Sequence, residues 1–493
     1  MRSLTKIALE VFEDLGLART LNALFIESEQ PSDSSTLLLE LRSGNALGVL
    51  INVWHQRLRG IPSPLKPFDE ALSLVEVSKQ SLVTLESSLQ RLLPLIPHNQ
   101  AENPRSSFCK RFLDELGWHV NTLISAQIDA IAALGIPRDV GLSVREQGLT
   151  LLSQICQALW SGDEGRSGWT RLPASSAPPQ RWLLIGEQAL PQCWLYRVEQ
   201  KRQHLESCGA EVRCIDWGVL DTWNFSQQIG WADAVIFCRT PATYGVIRAL
   251  TFARHCGKKV LADIDDLVFS SDFPAPYVTY GGSISREVYR RLQLDPPLQR
   301  WPLQQADTVI SSTGALDETY SNISGVAKEQ ERIVLPNLPL PELLNLAKRL
   351  ERQPLQRPNR LVVSSGTLAH KQIWAEQLAP AIAELMRSHT DLRLSLIGHL
   401  ELPRCLQAFS ARISSTPYSD YNHYLQQISE ATIALVPLES HQTTHCKSAI
   451  KWMEASLLGV VCVCSPVRAY TDVGEPEKHL LVAANKQEWV RQV

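Results

Sequence analysis

What this chain lacks narrows its function before any motif does. No stretch of its 493 residues reaches about 18 consecutive apolar side chains, so nothing in it reads as a membrane span. Its first residues, MRSLTKIALEVFEDLGLARTL, carry Glu10, Glu13 and Asp14 where a signal peptide needs an unbroken apolar core. A cytoplasmic protein is the expectation, with peripheral attachment to a membrane left open. Excess basic charge is missing too: 48 Lys and Arg against 51 Asp and Glu leave a net charge of -3, no field for a nucleic-acid backbone. Eleven cysteines occur without CxxC or Cys/His spacing, mostly in apolar runs such as VVCVCS (Cys462, Cys464), where they act as small hydrophobes. The twelve histidines form no HExxH or paired-ligand pattern, so no metal is expected. GxGxxG and GxxxxGK[ST] are both absent, which argues against a dinucleotide cofactor and a P-loop.

What is present begins with a change of period. From Met1 to about Trp160 apolar residues recur at helical spacing, as in FDEALSLVEVSKQSLVTLESSLQRLLPLI, and this all-helical amino-terminal region shows no catalytic motif. Residues 161–180, SGDEGRSGWTRLPASSAPPQ, have the Gly, Ser and Pro content of a linker. Short strands then alternate with helical segments: RWLLIG, EVRCIDW, DAVIFCRT, KKVLADID, DTVISST and RIVLPN. A second alternation starts near Arg360 with RLVVSSG, LRLSLIGH, ATIALVPL and VVCVCS, after a proline-rich connector. Such alternation builds parallel sheets covered by helices, with ligands at the strands' carboxyl ends. The fold class is therefore α/β, with two tandem Rossmann-like domains at 181–345 and 346–493.

Three segments carry candidate chemistry. VLADIDDLVF puts Asp263, Asp265 and Asp266 at the end of an apolar strand, where carboxylates need water, partners or a ligand. They line an opening in one reading, hold Mg²⁺ or Mn²⁺ in a second, and pair with nearby Arg or Lys in a third. In THCKSAIKWMEASLLGVVCVC, Thr444 caps a helix that Gly459 ends, and Lys447, Lys451 and Glu454 share one face of it. Two lysines at a helix amino terminus oppose the helix dipole unless an anion sits there, which makes the segment a candidate diphosphate site, or else a solvated face. The turn SSGTLAHK offers Gly366 and Lys371 after a strand, a second place where backbone N–H groups approach phosphate. Arg239, at the end of another strand, and Tyr196 with Arg197, at the start of the first domain's first helix, face the same gap on the acceptor side. Tyr470 is placed near the donor.

These segments resemble the GT-B glycosyltransferases, in particular the retaining family 4 group that uses nucleotide-sugar donors. The likeness runs from about Arg181 to Val493 and is carried by SSGTLAHK, KSAIKWMEASLLGVVCVCS and VLPNLPL with Asn337. It implies that Lys371, Lys447 and Lys451 meet the donor diphosphate and Glu454 its ribose. Many members place a glutamate eight residues before that one, where this chain has Cys446, and a histidine near the strand that here ends in Asp263, Asp265 and Asp266. An Asp-x-Asp-Asp run there resembles the subgroup of polysaccharide and O-antigen assembly. Family members also continue through helices that cross back over the first domain, whereas this chain ends at Val493. Either the donor-side domain is truncated or the cleft closes differently.

The resemblance implies transfer of a sugar from a UDP or GDP donor to a hydroxyl of a glycan or lipid-linked acceptor, with no other cofactor. Two alternatives stand beside it: a non-catalytic carbohydrate- or nucleotide-binding relative whose helices act as a scaffold, and a two-domain epimerase that transfers nothing.

Overall fold

A computed structural model describes residues 104–160, 178–352, 359–366, 368–417 and 419–493. Most of the expected amino-terminal helical region, nearly all of the expected linker and Thr367 of the SSGTLAHK turn lie outside them. Among the described residues no helix is long and apolar enough to cross a membrane.

The described part of the amino-terminal region is a helical hairpin, α1 (Pro104–Leu134) and α2 (Arg138–Leu159). Its apolar stripe is spent on the neighbouring domain: Val120, Ile124, Ile128, Val144 and Leu152 share one core with Tyr244 and Ile247 of α3 (Tyr244–His255). Arg248 of α3 is fully buried in that interface, 2.7 Å from Asp114 and 2.8 Å from the Leu220 carbonyl. A buried guanidinium requires such partners.

The first sheet consists of β1 (Arg181–Gly186), β2 (Glu211–Asp216), β3 (Ala234–Cys238), β4 (Lys259–Ile264), β5 (Thr308–Ser311) and β6 (Glu331–Val334). Their spatial order is β2-β1-β3-β4-β5-β6, all parallel. Strand β3, AVIFC, is buried along its whole length, as the continuous apolar run of a strand covered on both faces must be. The second sheet consists of β7 (Arg360–Ser365), β8 (Arg393–Gly398), β9 (Ile413–Thr416), β10 (Ile433–Val436), β11 (Val461–Cys464) and β12 (Leu481–Val482), ordered β12-β11-β10-β7-β8-β9 and again all parallel. Two Rossmann-like domains in tandem, the arrangement of a GT-B fold, are therefore the architecture of the described chain. The Cys462 and Cys464 sulfurs lie 3.4 Å apart in the second core, on one face of β11 as a spacing of two requires.

Helix α4 (Pro341–Arg352) joins the second core through Leu343 and Leu346, which pack with Val362 of β7. The chain thus passes between domains in the short run 335–340. Each sheet has a switch point, where consecutive connections leave in opposite directions: between β1 and β3 in the first, between β7 and β10 in the second. Ligands of doubly wound sheets bind in the crevice outside such points.

Candidate functional site

The loops at the two switch points line one cavity of about 480 Å³. Residues 189–193 follow β1 and Arg239 follows β3; Gly366 and His370 follow β7 and Leu438 follows β10. An adjoining cavity of about 450 Å³ is walled by Trp194, Gly366, Gly398, Tyr421, Tyr424 and Lys451. Two close-packed turns shape its floor: a Cβ added at Gly398, whose φ is +87°, would meet the Ser365 carbonyl oxygen at 2.2 Å.

Asp265 and Asp266 line the larger cavity with Arg239, Lys447 and Lys451. Arg239 lies 3.3 Å from Asp265 and 3.9 Å from Asp266, and Lys447 reaches across from the second domain to within 3.4 Å of Asp266. Burial pushes the Asp266 carboxyl up, but the Lys447 and Arg239 charges outweigh it and hold the group below its usual range. Burial likewise works against the Arg239 charge, and the two carboxylates more than restore it. Arg239 (φ 50°) and His370 (φ 69°) both sit in the left-handed backbone region that side-chain-bearing residues rarely occupy. Strain of that kind concentrates at functional sites.

Asp263 departs from the expectation that all three carboxylates face the opening. Its side chain is 0% exposed and is gripped from beneath by Arg197 (2.8 and 2.7 Å) and Lys201 (2.7 Å). Residues two apart on a strand share a face, but Asp265 lies beyond the end of β4, where the chain has left the pleat. Arg197, placed on the acceptor side from sequence, is likewise buried; it also donates to the Leu335 carbonyl and to Asn337 Oδ1 in the connecting segment. This pair braces the frame of the cleft, buried outside the cavity walls.

The second-domain segment departs from one continuous helix. A short turn, Gln442–His445, precedes α5 (Ile450–Leu457), with Cys446 to Ala449 between them. Thr444 therefore caps no helix of its own; its hydroxyl accepts from the His441 N–H within the short turn. Lys447 precedes α5 and Lys451 lies in its first turn. Gly459, with φ +69°, does follow the helix end. The break has a tertiary cause: Cys446 is fully buried among first-domain side chains, and its carbonyl accepts from Thr313 Oγ1.

Lys451 donates to the Ser364 carbonyl at 2.6 Å. Burial, with the Lys447 charge adding to it, pulls its ammonium from an ordinary 10.5 down to about 8. Glu454 is 1% exposed and already partnered, accepting from Tyr196 at 2.6 Å and Tyr424 at 2.9 Å. Burial pushes its carboxyl up despite those hydrogen bonds. Tyr196 lies in a π-helical turn, Trp194–Glu199, that carries it across the gap to Glu454 and to Tyr421 at 2.9 Å. Lys371 is not among the cavity walls; its Cβ packs against Gly281 of the first domain. Tyr470 is 2% exposed and does line the larger cavity.

Sequence reasoning missed Glu439 and His441. Glu439 pairs with His370 and accepts from the Ile373 N–H at 3.2 Å. Both follow the end of β10, the one strand end beside the second switch point that carried no candidate, and that position was the available signal.

No family model matches the chain, and no curated protein matches it. Among solved structures, the chain is similar to HepE of Anabaena in complex with UDP and glucose, at 11% identity and a TM-score of 0.41 over 64% of this chain and 89% of that one. It is similar to sucrose-phosphate synthase of Thermosynechococcus elongatus at 14% identity and a TM-score of 0.42, over 64% and 89%. A putative UDP-N-acetylglucosamine 2-epimerase of Listeria monocytogenes is similar at 14% identity and a TM-score of 0.36, over 64% and 87%.

Proposed function

We propose that this protein is a nucleotide-sugar-dependent glycosyltransferase, moving a sugar from a UDP or GDP donor onto an acceptor hydroxyl. The observation that carries the reading is the convergence of two switch points on one cavity whose walls hold Lys447, Lys451 and Arg239. Cations and free backbone N–H groups fixed in a partly dry cleft stabilise charge growing on a departing diphosphate, the electrostatic contribution that commonly dominates such catalysis. Lys447 and Lys451 take that role here, with the Gly366 turn beside them. Asp265 and Asp266 face the same cavity from the other domain and orient sugar or acceptor hydroxyls, with Arg239 setting their positions. Glu454 receives the ribose hydroxyls when these replace Tyr196. Retention at the anomeric carbon, and a glycan or lipid-linked acceptor in polysaccharide assembly, follow from the resemblance of the motifs.

The test is a thermal-shift screen of purified protein against nucleoside diphosphates, followed by product analysis with a donor that stabilises. UDP or GDP should raise the melting temperature of the wild type and leave Lys447→Ala with Lys451→Ala unmoved. Release of nucleoside diphosphate separates a transferase from a binding relative, which releases none, and from an epimerase, which converts the donor without transfer. Indifference to every nucleotide would remove the proposal.

A further inference from the structure

We infer that His370, Glu439 and His441 form a binding site for a divalent transition ion of the zinc class, at the edge of the cleft. One ligand atom from each lies within 4.8 Å of the others. Two imidazoles and a carboxylate are a donor set that suits zinc and its neighbours rather than magnesium or calcium, which prefer oxygen alone. Topology explains the meeting: His370 follows β7 and the other two follow β10, adjacent parallel strands that end side by side. The His370 and His441 rings lie 11° from parallel with centroids 6.4 Å apart.

Two of the three donors are aimed by a second contact, the arrangement that fixes ligand orientation around bound metals. His441 Nδ1 is hydrogen-bonded to Thr443 Oγ1, and Glu439 Oε1 accepts from the Ile373 N–H. The observation that sets the cluster apart from an ordinary polar network is His441 Nε2. That atom is buried and has no hydrogen-bond partner, although the ring's other nitrogen is satisfied. Buried polar atoms are nearly always paired, and an orphan beside a carboxylate and a second imidazole needs an occupant. Side-chain exposures of 11% for His370 and 14% for Glu439 leave little room for bulk water to supply one. Three protein ligands are also the number that leaves a coordination position for water or an anion, and His370 lines the larger cavity.

The inference stands apart from the transferase reading and is tested without turnover. Full-length protein is stripped with a chelator, titrated with Co²⁺ while the visible ligand-field bands are followed, and then challenged with Zn²⁺. One ion per chain is expected, with affinity at least tenfold weaker in His441→Ala and in Glu439→Gln. Thr443→Val, which removes only an orienting contact, should weaken binding about 10-fold to 100-fold. Thr443→Val leaves all three ligands in place and keeps the test open should a ligand variant fail to fold. No stoichiometric binding by the wild type, or wild-type affinity in both His441→Ala and Glu439→Gln, would overturn the site.

Discussion

Lys451 is a charge the fold holds at a cost, so replacing it should move stability and binding in opposite directions. The ammonium is partly withdrawn from water, hydrogen-bonded to the Ser364 carbonyl, and further disfavoured by Lys447. A fall from 10.5 to about 8 corresponds to roughly 3 kcal/mol of native-state destabilisation when the lysine is charged. Methionine is one atom shorter and carries no charge. Lys451→Met should therefore raise stability at pH 7 by about 1–3 kcal/mol, the lower end allowing for the lost hydrogen bond. Below pH 8 both the folded and the unfolded lysine hold the proton and the whole penalty is present. Between about 8 and 10.5 the folded lysine releases its proton while the unfolded one retains it, so the penalty fades as pH rises. Urea titrations of wild type and variant at pH 7 and pH 10 measure this directly: the variant's advantage should be large at the first and small at the second. Nucleoside diphosphate, added at pH 7, should stabilise the wild type and not the variant. Equal stability of the two proteins at pH 7, or an advantage that persists undiminished at pH 10, would refute the reasoning, because the lysine would then not be a buried, strained charge.

The remaining expectations follow from the same contacts. Asp263→Ala leaves Arg197 and Lys201 as uncompensated buried charges and should cost about 3–5 kcal/mol in a denaturant titration, whereas Asp265→Asn, at the cavity wall, should change stability by less than about 1 kcal/mol and lower turnover instead. Tyr196→Phe removes the interdomain hydrogen bond to Glu454; it should lower the melting temperature by a few degrees and, because ribose would no longer compete with the phenol, tighten nucleoside-diphosphate binding several-fold by calorimetry. Weaker nucleotide binding by that variant would show that Tyr196 helps to hold the donor rather than covering its site.

Much of the frame was legible because it depends on short-range pattern. Apolar runs such as AVIFC and VCVC, each followed by a helical stretch, dictate parallel strands buried on both faces, and the carboxyl ends of those strands locate the opening. Gly366, Asp265, Asp266 and Arg239 were singled out by that rule and lie along the same cavity as Lys447 and Lys451, which the charge pattern of one helix pointed to. The rule fails where a side chain's direction is set by something distant in sequence. Asp263 and Asp265 look equivalent in VLADIDD, yet Arg197 and Lys201, more than 60 residues earlier, claim only Asp263.

The helix expected from Thr444 onward obeys its local pattern on both sides of Cys446, and it is the first domain's core, closing over that sulfur, that breaks it. Glu454 reads as a free carboxylate on a helix face until the other domain brings Tyr196 to it. His370 and His441 stand 71 positions apart with no ligand spacing, and only the adjacency of β7 and β10 makes them neighbours. Composition and periodicity fixed which elements form and which of their ends stay open. The partners of each charged group were decided by packing between elements, because a buried charge takes whatever countercharge the assembled fold supplies, and nothing local in the chain encodes that choice.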